Sequence, residues 1–138
     1  MPPKKTKTMD KKLILVVDDE MDTRLVLEKR LIAEGYSVIT ASNGNEAIGL
    51  AKSKRPDLII LDVLMPGMDG GEVARKLKEV PETKDIPIIF LTGMFPARKE
   101  SEDFRMVAEH LLFDKPYETL ELINVIENVL LEKQISLK

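Results

Sequence analysis

The stretch that most constrains this chain is residues 57–71, Asp-Leu-Ile-Ile-Leu-Asp-Val-Leu-Met-Pro-Gly-Met-Asp-Gly-Gly. It opens with a short apolar run, Leu58 to Leu61, and breaks at Asp62. So short a run, rich in Ile and Leu, reads as a strand buried on both faces of a parallel sheet. Pro66-Gly67 and Gly70-Gly71 then allow only turn geometry. Asp62 therefore belongs at the C-terminal end of a central strand, on the edge where open α/β sheets bind ligands. A lone aspartate there would more often simply open a turn, so the rest of the chain has to decide.

The remaining residues repeat the pattern. Residues 13–17, Leu-Ile-Leu-Val-Val, form a strand ending at Asp18-Asp19-Glu20. A helix over 22–34 places Leu25, Leu27, Leu31 and Ile32 among charges and closes near Gly35. A short strand at 37–40 leads through Ser42-Asn43-Gly44 into a second helix with Ala47, Ile48, Leu50 and Ala51 as its apolar face. After the central strand, a third helix over 71–80 turns Val73, Leu77 and Val80 inward and is stopped by Pro81. Residues 86–91 form a fourth strand ending at Thr92-Gly93, and 98–109 a charged helix anchored by Phe104, Met106 and Val107. Residues 111–113 form a fifth strand ending at Asp114-Lys115-Pro116. A last helix over 117–133 carries Leu120, Ile123, Ile126, Val129 and Leu130 on one stripe. Five strand–helix units in alternation predict a flavodoxin-like, doubly wound α/β fold. It has five helices around a five-stranded parallel sheet of order 2-1-3-4-5.

Length and charge narrow the function. A chain of 138 residues is one ordinary domain, here expected over 13–133, between a basic disordered leader at 1–12 and a tail at 134–138. Five lysines and one aspartate give residues 1–12 a charge of +4, which leaves −7 for the rest of a chain whose net charge is −3. An acidic body argues against direct nucleic-acid binding, which needs a basic face. The absence of cysteine excludes disulfides and thiolate chemistry. No apolar run is long enough to span a bilayer or serve as an export signal, so a cytoplasmic location is expected.

Four of the five strands end in a polar residue with chemical use: Asp18 and Asp19, Asp62, Thr92, and Lys115 just beyond the last. In the order 2-1-3-4-5 these strands are neighbours about 4.8 Å apart, so the four ends fall within about 15 Å. Three carboxylates in one place repel unless compensated. Oxygen-only ligation suits Mg²⁺, with Mn²⁺ as a substitute; Asp19 and Asp62 would hold it with Asp18 close by. Such a site fits phosphoryl transfer, which depends on positioning and charge stabilisation. Asp62 is the best nucleophile, able to form an acyl phosphate. Thr92 offers a hydroxyl donor and Lys115 a mobile point charge. Singly, each residue has a plainer reading: helix-start charges, a turn residue, a surface lysine. In order, each at a strand end, that plainer reading fails.

The stretches Val-Val-Asp-Asp-Glu at 16–20, Asp62-Val-Leu-Met-Pro-Gly-Met-Asp-Gly to Gly70, Leu91-Thr92-Gly93 and Asp114-Lys115-Pro116 resemble a bacterial two-component response-regulator receiver domain, of the stand-alone, chemotaxis-regulator-like kind. The resemblance covers about residues 13–133. It implies Asp62 as phosphoacceptor and Asp18 and Asp19 as the acidic metal pair. It adds the backbone carbonyl of Leu64 as a further ligand, Thr92 and Lys115 as phosphoryl contacts, and a cis Lys115–Pro116 bond. It also implies a sensor histidine kinase or phosphotransfer protein as donor. The downstream target would be a protein bound by the face of the fourth helix, fifth strand and last helix, and the chain a monomer or a phosphorylation-dependent homodimer. The only catalysis implied is Mg-dependent self-phosphorylation and self-dephosphorylation. The alternatives are a receiver fragment of a larger regulator and a non-phosphorylated scaffold.

Some residues depart from the family pattern. Leu112 stands where many receivers carry an aromatic residue that rotates on activation. Gly93 replaces the common alanine. Leu64 and Met94, two residues after the acceptor and after the threonine, are apolar and would exclude an attacking water, which predicts a long-lived phosphoryl state. Met65 and Met68 read as loop packing, and His110, the one histidine, has no partner at ligand spacing. Competing classes lack their signatures. A haloacid-dehalogenase-type phosphatase needs an aspartate at position 64. A flavodoxin needs a hydroxyl-rich phosphate loop after the first strand. A P-loop nucleotidase needs Gly-x-x-x-x-Gly-Lys.

Overall fold

A computed structural model describes residues 11–92, 111–114 and 119–136. It contains strands β1 (Leu13–Val17), β2 (Ser37–Ala41), β3 (Leu58–Asp62), β4 (Ile88–Thr92) and β5 (Leu111–Asp114), with helices α1 (Met21–Ala33), α2 (Gly44–Lys54), α3 (Gly70–Lys78) and a C-terminal helix (Thr119–Ser136). The sheet is parallel throughout, in the order β2-β1-β3-β4-β5, as the alternation of strands and helices predicts. The expected fourth helix at 98–109 and the two chain ends, 1–10 and 137–138, lie outside the described residues.

Burial on both faces explains the continuous apolar strands. Side chains alternate across a strand. Leu15, Val17, Ile59, Leu61, Ile88 and Phe90 join one buried cluster with Ala47 and Ala51 of α2 and Val73, Ala74 and Leu77 of α3. Ile14, Val16, Leu58, Ile60, Ile89 and Leu91 join another with Leu27 and Leu31 of α1 and Leu122, Ile123, Ile126 and Leu130 of the C-terminal helix. The edge strand β2 stays half-buried until Ala41.

Three helices differ from expectation in ways that geometry explains. On α1, Leu27 and Leu31 are buried, but Leu25 and Ile32 are 45% and 53% exposed. At 3.6 residues per turn those two lie on the far side of the helix from the Leu27–Leu31 stripe. On the C-terminal helix the same geometry exposes Leu120 and buries Leu122 in its place. α3 stops at Lys78, not at residue 80, because the residue before Pro81 is pushed out of helical backbone. Val80 instead joins a turn, where its carbonyl accepts the Thr83 and Lys84 N–H groups at 3.0 and 2.9 Å. β4 begins two residues later than predicted, after Pro87.

Candidate metal and phosphoryl site

The register of the sheet brings the acidic residues together. Val17 pairs with Leu61, so Asp18 follows β1 beside Asp62 at the end of β3. Asp62 in turn pairs with Leu91, one residue before Thr92, which pairs with Asp114. Asp18 and Asp62 are 2% and 5% exposed, while Asp19 faces solvent. Ligand oxygens of all three lie within 4.8 Å of one another. Unit charges that close repel by about 3–4 kcal/mol per pair at an effective dielectric near 20, so the arrangement favours a bound cation.

Local structure fixes the two buried members. The Asp18 N–H donates to the Ala41 carbonyl at 3.2 Å, tying the loop after β1 to the end of β2. The Asp18 carboxylate accepts the Glu20 N–H at 3.0 Å, and its carbonyl accepts Nη1 of Arg24 at 2.9 Å. Beyond Asp62, the Val63 N–H donates to the Leu91 carbonyl at 2.9 Å, and the loop closes where the Gly70 N–H reaches the Val63 carbonyl at 2.8 Å. Gly70 has to be glycine: a Cβ there would stand 2.5 Å from the Asp62 carbonyl oxygen and 2.8 Å from the Val63 Cα. Gly67 supplies the left-handed turn, with φ at 79°. Asp69 starts α3 by accepting the Glu72 N–H at 2.9 Å. Met65 is buried in the α2–α3 cluster and Met68 packs against it, so both serve the loop as read from the sequence.

The donor set fits a hard divalent cation. All three side chains offer carboxylate oxygens. Mg²⁺ at about 2.1 Å places its ligand oxygens about 3 Å apart when adjacent and about 4 Å apart when opposite, within the spacing found here. Leu64, two residues past Asp62, is 38% exposed at the loop surface. Thr92 ends β4 as predicted, but its side chain lies outside the described residues. So do Lys115, the Lys115–Pro116 bond, Met94, His110 and the side chain of Leu112. The sequence reading missed Arg24 and the close approach at Gly70; an arginine early in an amphipathic helix and a glycine in a turn carry no distinctive signal.

No helix among the described residues is long and apolar enough to cross a membrane. The probable transcriptional regulator ycf27 of Porphyridium aerugineum is 38% identical over 122 residues, which are 88% of this chain and 49% of that protein. The chain thus spans about half the length of this curated relative. The chemotaxis protein CheY4 of Vibrio cholerae superposes with a TM-score of 0.77 at 32% identity, over 86% of this chain and 98% of that one. The receiver domain of the sensor histidine kinase PA1611 from Pseudomonas aeruginosa, solved with a magnesium ion coordinated in its active-site cleft, gives 0.78 at 25% identity, over 87% and 98%. The family model for the response regulator receiver domain matches residues 14–127. With its strand order, its acidic strand ends and that match all in agreement, the chain belongs to the response regulator receiver domain family of two-component signalling.

Proposed function

We propose that this receiver is a switch set by phosphorylation of Asp62. The observation that carries the reading is the meeting of Asp18, Asp19 and Asp62 within 4.8 Å, with Asp62 the last residue of a fully buried strand. A carboxylate on a rigid, buried strand end is held in place for in-line attack and loses little freedom in the reaction. Asp62 attacks the phosphorus of a phosphohistidine on a sensor kinase or phosphotransfer protein. The P–N bond breaks, its electron pair leaves on the histidine nitrogen, which takes a proton from solvent, and an acyl phosphate remains on Asp62. Asp18, Asp19, Asp62 and the Leu64 carbonyl are the residues that would hold Mg²⁺. When bound, the ion neutralises the carboxylates and the incoming phosphoryl oxygens.

The acyl phosphate carries about −2 where the carboxylate carried −1, so about one further negative charge, with three acceptor oxygens, appears at the sheet edge. Thr92 ends the neighbouring strand, and Lys115 follows Asp114, its partner in β5. Drawing those two side chains toward the phosphoryl group biases β5 and the flanking helices, and with them the affinity for a target protein. The size of the bias is the difference in contacts between the two states. The exposed, apolar Leu64 supports slow hydrolysis, since it offers no group to orient a water. The reading places the protein in the cytoplasm, working as a monomer or as a phosphorylation-dependent homodimer. The 49% span of the ycf27 relative fits equally the receiver part of a longer regulator; the mass of the protein isolated from its own cells separates the two.

Intact mass after incubation with acetyl phosphate and Mg²⁺ tests the proposal. Wild type should gain one phosphoryl group and Asp62→Asn none, with a half-life well beyond seconds at room temperature. No gain in wild type would point to a scaffold, and a half-life of seconds would remove the role given to Leu64.

A further inference from the structure

The peptide joining Asp18 to Asp19 is held from outside the acidic cluster. Arg24 lies in the first turn of α1, and its Nη1 donates to the Asp18 carbonyl at 2.9 Å, six residues back along the chain. That carbonyl belongs to the peptide linking the two acidic residues, so its direction fixes where the Asp19 backbone begins. Asp18 is also secured through its N–H to Ala41 and its carboxylate to Glu20. Asp19 is solvent-exposed, and the position of its carboxylate follows from the backbone that carries it.

We infer that Arg24 is a positioning residue for the divalent cation: by gripping the Asp18 carbonyl it presets the Asp19 carboxylate against those of Asp18 and Asp62. The inference rests on the metal reading proposed above. Two effects of the guanidinium oppose each other. Its charge repels a nearby cation, while its hydrogen bond removes the ordering cost of the loop. Arg24 is only half-buried, where solvent and salt weaken the repulsion. The bond to the carbonyl is charge-assisted and comes from a planar donor of fixed geometry, so positioning outweighs repulsion. The same side chain lies near the head of α2. The Glu46 carboxyl there is held below its ordinary range chiefly by hydrogen bonds from the Ser42 backbone and side chain, with Arg24 adding a smaller contribution. Arg24 thus stands between the acidic loop and the start of α2.

The test is calorimetric titration of the full chain with Mg²⁺, alongside thermal unfolding in chelator. Groups that orient metal ligands typically contribute 10-fold or more to affinity, so Arg24→Ala should raise the Mg²⁺ dissociation constant by about 10-fold. Arg24→Lys, a point charge without the fork, should recover only part of the loss. Arg30→Ala removes the same charge from a distant, solvent-facing site on α1, beside Glu34, and should leave the constant unchanged. Equal or tighter Mg²⁺ binding by Arg24→Ala would overturn the inference, showing that repulsion dominates. So would a loss matched by Arg30→Ala, which would make the effect one of net charge. Should Arg24→Ala not fold, Arg24→Gln, a neutral donor of shorter reach, is titrated in its place against the same outcomes. Wild type that binds no Mg²⁺ would overturn the metal reading itself, a result distinct from equal binding by wild type and variant.

Discussion

At the scale of single residues, two glycines separate space from conformation. Gly70 has no room for a Cβ because backbone atoms of Asp62 and Val63 fill it, and backbone cannot swing aside as a side-chain tip can. Overpacking of this kind costs about 1–3 kcal/mol. Gly70→Ala should therefore lower the denaturation midpoint by that order and slow the labelling of Asp62, whose carbonyl it displaces. Gly49 sits exposed in α2 with nothing within 4 Å of a built Cβ. Gly49→Ala should instead stabilise by about 0.5–1 kcal/mol, because alanine restricts the unfolded chain and favours helix. Chemical denaturation of the two variants side by side checks both signs; a neutral Gly70→Ala would show that the loop base yields.

At the scale of elements, burial sets one titration and hydrogen bonding another. Tyr36 lies half-buried where the turn after α1 meets the C-terminal helix. Burial first, then the charges of Glu127 and Glu34, push its pKa from 10.0 up to about 12. The folded state keeps the phenol protonated where the unfolded chain ionises. Its contribution is therefore fully present below pH 10 and is lost as pH rises from 10 to about 12. Alkaline unfolding should show this slope in wild type and lack it in Tyr36→Phe, and ultraviolet titration should find the missing phenol near 12. At the head of α2 the sign reverses. Glu46 is lowered from 4.5 by its Ser42 hydrogen bonds, so its stabilisation is present above that value and lost as pH falls through the folded pKa. The stability difference between wild type and Glu46→Gln should shrink on acidification below 4.5, the ordinary value of the carboxyl. In the sheet–helix layers, Leu27→Ala on α1 should cost about 2–5 kcal/mol, since the side chain is almost fully buried. The same change at Leu25, which is 45% exposed, should cost far less.

At the scale of the whole molecule, the three close carboxylates at the strand ends couple folding to cation binding. A ligand selective for the folded state adds RT ln(1 + [L]/Kd), about 2.7 kcal/mol at a hundred times the dissociation constant. Mg²⁺ should thus raise the melting temperature of wild type and leave Asp19→Asn almost unmoved. In chelator Asp19→Asn should melt above wild type, because removing one of three close carboxylates relieves repulsion. A chelator curve for wild type at or above that of Asp19→Asn would show that the cluster is not strained without metal.

The sequence by itself determined the alternation of strands and helices, the order of the sheet and the placing of Asp18, Asp19 and Asp62 at neighbouring strand ends. The elements and the strand-end charges are local properties, an apolar run, a breaker, a charge at a run's end, and the order follows from the short right-handed crossovers of a doubly wound sheet. Residue pairing in a parallel sheet then leaves little choice about which ends meet. Tertiary structure alone decided which stripe of α1 faces the sheet. Met21, Leu25, Val26, Leu27, Leu31 and Ile32 lie around most of that helix, and only the fit against β1 and β2 and the buried cluster on that face of the sheet selects Leu27 and Leu31. It also decided that Arg24 turns back to the Asp18 carbonyl and that Gly70 meets the backbone of Asp62. These are contacts through space between groups whose local sequence looks ordinary, and their energies depend on distances that no periodicity encodes.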